Sequence, residues 1–152
     1  MDFYKVNMEM IVWNMEISRA AAIAFISKEG RILFQHRDSD APASPNCWGL
    51  FGGAMEEGET PEQGIKREVE EELQIKLKDF KLFRKYEFRE KGIVKERYIF
   101  TAPLNNPLEK LRKQQREGDG LALLSFEEMN KRKTSPHTEI VLKDIFETIS
   151  KK

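Results

Sequence analysis

Two periods run through the apolar positions of this chain, and the elements follow from where each one holds. Ile65, Val69 and Leu73 stand four apart, the spacing of one helix face. Just before them Thr60 is a good N-cap, and Pro61 suits a first helical position that needs no N–H. Gln63 completes a capping box with Thr60. The pattern predicts a helix over residues 61–73. Val141, Ile145 and Ile149 repeat the spacing, Leu142 and Phe146 widen the stripe, and Ser135-Pro136 starts that second helix. Ser125 with Glu128 caps a shorter one.

Elsewhere the period shortens to two or the run becomes uniformly apolar. Residues 20–26 read as a small-residue, buried strand, turned by Lys28-Glu29-Gly30 into a strand over 31–37. Residues 80–88 and 94–102 read as a hairpin, with Leu82, Tyr86 and Phe88 on one face and Val94, Tyr98 and Phe100 on another. Gly118 and Gly120 precede a short strand over 121–124. Residues 38–47, with Asp38, Asp40, Pro42, Pro45 and Asn46, are a loop, as are 103–107. Near the start, Val6, Met8, Met10 and Val12 share a face, so an extra strand is expected within residues 1–17. That strand has three uses open to it: covering a sheet edge, walling a pocket, or pairing with a second copy in a homodimer. Irregular alternation of strands and helices implies an α/β fold, a mixed β-sheet between helical layers.

At 152 residues the chain is one domain, residues 1–152, large enough to bury about 70% of its unfolded surface. Lys and Arg balance Asp and Glu at 26 each, so no global field points to nucleic acid or to a membrane. No apolar run reaches the roughly 20 residues of a membrane helix. Cys47 is the single cysteine, which excludes an internal disulfide and suits a reducing cytoplasm.

Local charge is less even. Between Glu56 and Glu72 eight Glu face Lys66 and Arg67, a net of −6. On a helical wheel at about 100° per residue, Glu68, Glu71 and Glu72 share one stripe beside the apolar one. Gly64 lies on that stripe a turn earlier and adds no bulk. Like charges at this spacing cost a bare helix a few tenths of a kcal/mol. A hard divalent cation would turn the repulsion into coordination, since Mg²⁺ takes carboxylates together with substrate phosphates. Composition alone reads the stripe as a solvated face. Residues 76–116 carry 13 Lys or Arg against 5 Asp or Glu, which would suit a polyphosphate ester, although solvent-facing strand positions explain at least half of those charges.

The spacing decides between the two readings of the stripe. Gly53, five residues, Glu59, seven residues, then Arg67-Glu68-Val69-x-Glu71-Glu72 resembles the Nudix box. Ile75 fills the box's final apolar position, and Gln74 stands where the family usually has Gly. Trp48-Gly49-Leu50-Phe51-Gly52-Gly53 also resembles the family's approach to the box, with Phe51 where a proline is more usual. The resemblance is specific over 48–75 and extends as a fold over about 18–149.

That resemblance implies the Nudix fold, an α/β/α sandwich with a mixed β-sheet. It implies Mg-dependent hydrolysis of a phosphoanhydride bond in a nucleoside diphosphate derivative, either a nucleoside triphosphate or a small sugar nucleotide. Mn²⁺ is the alternative ion. Metal ligands would be Glu68, Glu71, Glu72 and the Gly52 carbonyl. Arg67 and Glu59 would form an ion pair that fixes the loop against the helix. The proton of the attacking water would go to a box glutamate, Glu68 or Glu71, or to Glu117 on a later loop. Arg37 would reach a phosphate, whereas His36 alternates to the opposite face and Cys47 is a small filler. A non-catalytic nucleotide-binding regulatory module of the same family is the alternative, and retention of every box glutamate argues for catalysis. Residues 108–114 have charges that suit a helix, but the family usually runs a strand there, and a strand is expected.

Overall fold

The computed structural model describes residues 15–151. The strand expected around Val6, Met8, Met10 and Val12 lies outside the described residues. Among the described residues seven strands form one mixed sheet: β1 (Glu16–Ile26), β2 (Ile32–His36), β3 (Trp48–Gly49), β4 (Phe51–Ala54), β5 (Lys81–Glu90), β6 (Ile93–Pro103) and β7 (Gly120–Leu124). The main path runs β3-β2-β1-β6-β5, with β4 pairing β1 and β7 pairing β2. β1 runs parallel to β6 along its whole length, and the other pairings are antiparallel. Four helices among the described residues flank it: α1 (Pro61–Leu73), α2 (Leu108–Gln114), α3 (Phe126–Asn130) and α4 (Pro136–Ser150).

Two cores lie on the two faces of the sheet, as a sandwich requires. One gathers Ile65, Val69 and Leu73 of α1 and Leu111 of α2 against Ile23, Leu33, Phe51 and Phe100. The other gathers Val141, Leu142, Ile145 and Phe146 of α4 and Met129 of α3 against Ile32, Phe34 and Ile99. The apolar stripes of α1 and α4 are thus the faces that bury, and the layering matches the expected α/β/α sandwich.

The capped helices form where local chemistry calls for them. Thr60 accepts from the Gln63 N–H and the Gln63 side chain reaches back to the Thr60 N–H, closing the box. Ser125 and Glu128 do the same for α3. Thr60→Ala is expected to cost about 1 kcal/mol, a fall of about 2–4 °C in melting temperature for a domain of this size. An unchanged melt would mean that the cap contributes nothing to stability.

Gln74 takes the left-handed cap position of α1, with φ 56° and ψ 38°. A glycine would adopt that conformation without steric cost. Here the side chain contributes instead, its Nε2 donating to the Gln114 carbonyl at 3.0 Å and tying the end of α1 to α2.

Two expectations are corrected. Residues 108–114 are a helix, not a strand: Leu111 is fully buried on its inner side, and Glu109, Lys110, Arg112 and Lys113 face outward, a 3.6-residue rather than a two-residue alternation. Leu82 does not share a face with Tyr86 and Phe88. A bulge between Leu82 and Arg84 shifts the register, leaving Leu82 48% exposed and turning Phe83 inward beside Tyr86 and Phe88.

Candidate active site

α1 places its carboxylates against β4, and two glycines of that strand make the room. Gly52 has φ 145°, and a Cβ there would lie 2.0 Å from the Ala21 carbonyl oxygen, so only glycine allows β4 to pair with β1 at this point. Its N–H donates to Glu72 Oε2 at 3.3 Å. A Cβ on Gly53 would fall 2.7 Å from Glu68 Oε1, in the space the Glu68 carboxylate fills.

Glu72 is only 2% exposed, and its Oε1 has no hydrogen-bond partner. Burial, and then the charges of Glu117 and Glu68, push its carboxyl up to about 9. A buried carboxylate crowded by other carboxylates is costly to leave without a cation, so this oxygen is a natural ligand position for one.

Arg67 organises the rest. Its Nε and Nη2 donate to the two oxygens of Glu59 at 2.7 and 3.0 Å, a bidentate pair. Nη2 also donates to the Ala54 carbonyl at 3.1 Å, and Glu59 accepts from the Glu56 N–H at 2.8 Å. The loop 54–59 is thereby fastened to α1, which is the role expected for the pair. The Arg67 hydrogen bonds, followed by the Glu56 N–H, hold the Glu59 carboxyl at about 2. Glu59 in turn raises Arg67 above its already high value.

Nη1 of Arg67 reaches Glu68 at 2.9 Å and Glu71 at 3.3 Å. These two carboxylates therefore face Arg67, and among the described residues no group of three or more His, Cys, Asp or Glu side chains stands ready to hold a metal ion. The donor set still fits one chemically. The Glu68, Glu71 and Glu72 oxygens are hard ligands, Glu72 offers an unpartnered oxygen, and Glu71 is 59% exposed. Binding would require Glu68 and Glu71 to exchange Arg67 for the ion.

Glu117 comes to the same place from a distant part of the chain. The Arg116 N–H donates to the Glu72 carbonyl at 2.8 Å, and the Asp119 N–H to the His36 carbonyl at 3.0 Å, so both ends of its loop are held. Gly118 between them has φ 81°, and a Cβ there would lie 2.7 Å from the His36 carbonyl. Glu117 itself is exposed, yet its charge bears on Glu72.

A cleft of about 530 Å³ adjoins the box, with Gly52, Gly53 and Ala54 in its lining. Arg37 lines it, with its Nε held by the Ala43 carbonyl at 2.8 Å. His36 is engaged with Asp119 and packs on Trp48, in keeping with a structural part. Cys47 is 5% exposed. Sequence reasoning missed the contributions of Phe88, Lys95, Arg97 and His137 to this lining. Arg97 and Lys95 had been visible only as part of a basic run. Their alternation with Ile99, whose neighbours are core, was the signal that they face inward.

Comparison with known proteins bears on the family and the fold. The NUDIX domain profile matches residues 17–144. A 59-residue stretch is 39% identical to nucleoside triphosphatase NudI of Enterobacter sp. (strain 638), covering 39% of this chain and 42% of that protein. A 74-residue stretch is 38% identical to 8-oxo-dGTP diphosphatase of Escherichia coli (strain K12), covering 47% of this chain and 57% of that protein. The chain thus spans about half the length of the curated relatives it matches. Among solved structures, the MutT protein of Methanosarcina mazei Go1 superposes with a TM-score of 0.70 at 19% identity, over 90% of this chain and 95% of that one. The NUDIX domain of Shewanella oneidensis NrtR, complexed with ADP ribose, superposes with a TM-score of 0.65 at 15% identity, over 89% and 88%.

Proposed function

This chain belongs to the NUDIX family, and on that premise we propose that it is a pyrophosphohydrolase. Its substrate would be a nucleoside diphosphate derivative, either a nucleoside triphosphate or a small sugar nucleotide, and its ion Mg²⁺, with Mn²⁺ able to replace it. The observation that carries the reading is the carboxylate stripe of α1 against Gly52 and Gly53, where Glu72 is buried with an unpartnered oxygen. The names of the two curated relatives, a nucleoside triphosphatase and an 8-oxo-dGTP diphosphatase, support a nucleotide substrate. A small molecule in the cytoplasm, rather than nucleic acid or a membrane, is the partner this reading takes. Among the described residues no helix is long and apolar enough to cross a membrane.

Glu68, Glu71, Glu72 and the Gly52 carbonyl would hold the divalent ions. Bound there, the ions would neutralise the anhydride oxygens and acidify the attacking water. The protein's own groups do the remainder. Arg67 and Glu59 hold the loop and helix in register. Glu117 takes a proton from the water as its oxygen forms a bond to phosphorus and the bridging P–O bond breaks. Arg37 binds a phosphate oxygen.

A panel of about twenty phosphoanhydrides assayed with Mg²⁺, with products detected as phosphate after phosphatase coupling, tests the activity and ranks the substrates. Turnover of at least one nucleotide is expected. Nucleotide binding with no turnover of any member would instead favour a regulatory module.

A further inference from the structure

Among the described residues, Arg97 stands in the lining of the cleft without a counter-charge. It alternates with Lys95 and Ile99 on the face of β6 opposite Glu96 and Tyr98, and all three line the cleft. Its Nη1 donates to the Ser18 carbonyl at 2.8 Å and the Glu96 carbonyl at 3.1 Å, and its Nη2 to Ser18 Oγ at 3.5 Å. Every one of these acceptors is neutral. The other cations of the lining leave nothing over for it. Glu90 accepts from Lys95 Nζ at 3.2 Å and lies 2.7 Å from His137 Nε2, while Arg37 is held by a carbonyl. Among the described residues, Glu90 is the one carboxylate in a lining that holds Arg37, Lys95 and Arg97.

A half-buried cation that meets only neutral dipoles has lost part of its hydration without gaining an opposite charge. Burial accordingly lowers Arg97 from its usual value. The floor around it is made of small residues, Ala20 and Ala22, which leave space above the sheet. Ala20 pairs with Ala54 on one side and with Arg97 on the other, so β1 alone separates Arg97 from the strand of Gly52 and Gly53. Two interstrand spacings, about 10 Å, lie between them.

We propose that Arg97, supported by Lys95, forms a second anion subsite. By it the cleft selects substrates that carry a phosphate monoester or a carboxylate in addition to the phosphoanhydride cut at the glutamates. The inference rests on reading the cleft as the substrate site. Guanidinium pairs well with either group, in bidentate geometry.

Two matched pairs of probes share an anhydride and differ by one anionic group: NADPH against NADH for a phosphate monoester, and UDP-glucuronate against UDP-glucose for a carboxylate. Dissociation constants measured by calorimetry with Ca²⁺ present need no turnover, and kcat/KM with Mg²⁺ is measured beside them. In at least one pair the anionic member should bind about tenfold or more tightly, and that pair identifies the group. Arg97→Leu should bring the ratio within about twofold of one, and Arg97→Lys should restore part of it. Arg97→Gln serves as the neutral variant if the leucine variant does not fold. Absence of preference in both pairs, including absence of binding, overturns the subsite. So does a preference that survives in the neutral variant, or an equal loss for both members of a pair. An Arg97-dependent preference without hydrolysis would keep the subsite and defeat the hydrolase reading. Hydrolysis with a ratio near one would do the reverse.

Discussion

Glu72→Gln is expected to abolish most turnover and, at the same time, to make the metal-free protein more stable at neutral and alkaline pH. The two effects have one cause. Glu72 is buried, its Oε1 lacks a partner, and its carboxyl is pushed up to about 9 against 4.5 for a free glutamate. Between those values the folded, metal-free protein holds a proton that the unfolded chain has released. The stability tied to that proton is therefore fully present below about 4.5 and lost as pH rises towards about 9. Gln has no charge to bury, so the variant should lack this slope. A stability gain of about 1–3 kcal/mol at pH 8, or about 2–12 °C, should shrink as pH approaches 5. Mg²⁺ should raise the melting temperature of the wild type at pH 8 and do so far less for the variant, which has lost the ligand. Thermal melts at several pH values, with and without Mg²⁺, beside turnover assays, check this. Wild-type turnover in the variant, or a parallel pH profile, would remove Glu72 from the metal site. Glu71→Gln should also lose most turnover, but Glu71 is largely exposed, so its metal-free stability should change much less.

Glu117→Gln is expected to lower the turnover number by about 10²- to 10⁴-fold, the usual worth of a general base. The carboxamide keeps the shape of the side chain but cannot accept the water's proton. Glu117 sits on a loop held at both ends, by the Glu72 carbonyl and the His36 carbonyl, so the substitution should not move the backbone. The Mg²⁺ concentration needed for half-maximal rate should barely change if Glu117 is the base. It should rise, with excess metal restoring part of the rate, if Glu117 is a metal ligand. A change of less than about twofold in both would return the base to Glu68 or Glu71.

What could be seen in the sequence was what is encoded locally. α1 was legible to the residue because Thr60, Pro61, Gln63 and the stripe Ile65, Val69, Leu73 all act within one element. The Glu59–Arg67 pair was legible through the resemblance to the Nudix box, which implies it. α2 was not: its seven residues bury Leu111 alone in full, too little periodicity to outweigh an expectation borrowed from the family. The bulge after Leu82 was invisible because alternation assumes an unbroken register. The inward face of Arg97 was hidden for another reason. Its surroundings are the Ser18, Ala20 and Ala22 positions of β1, some eighty residues away in sequence, and only the parallel β1–β6 pairing brings them together.

Hydrolysis at the anhydride requires water to attack phosphorus. The preferred nucleotide of the panel should be hydrolysed in ¹⁸O-labelled water with Mg²⁺, and the products weighed by mass spectrometry. One ¹⁸O atom is expected in one phosphate-bearing product, with the reaction stopped by a chelator and restored by added Mg²⁺. Label in a product that carries no phosphate, or a rate indifferent to the chelator, would contradict the proposed function.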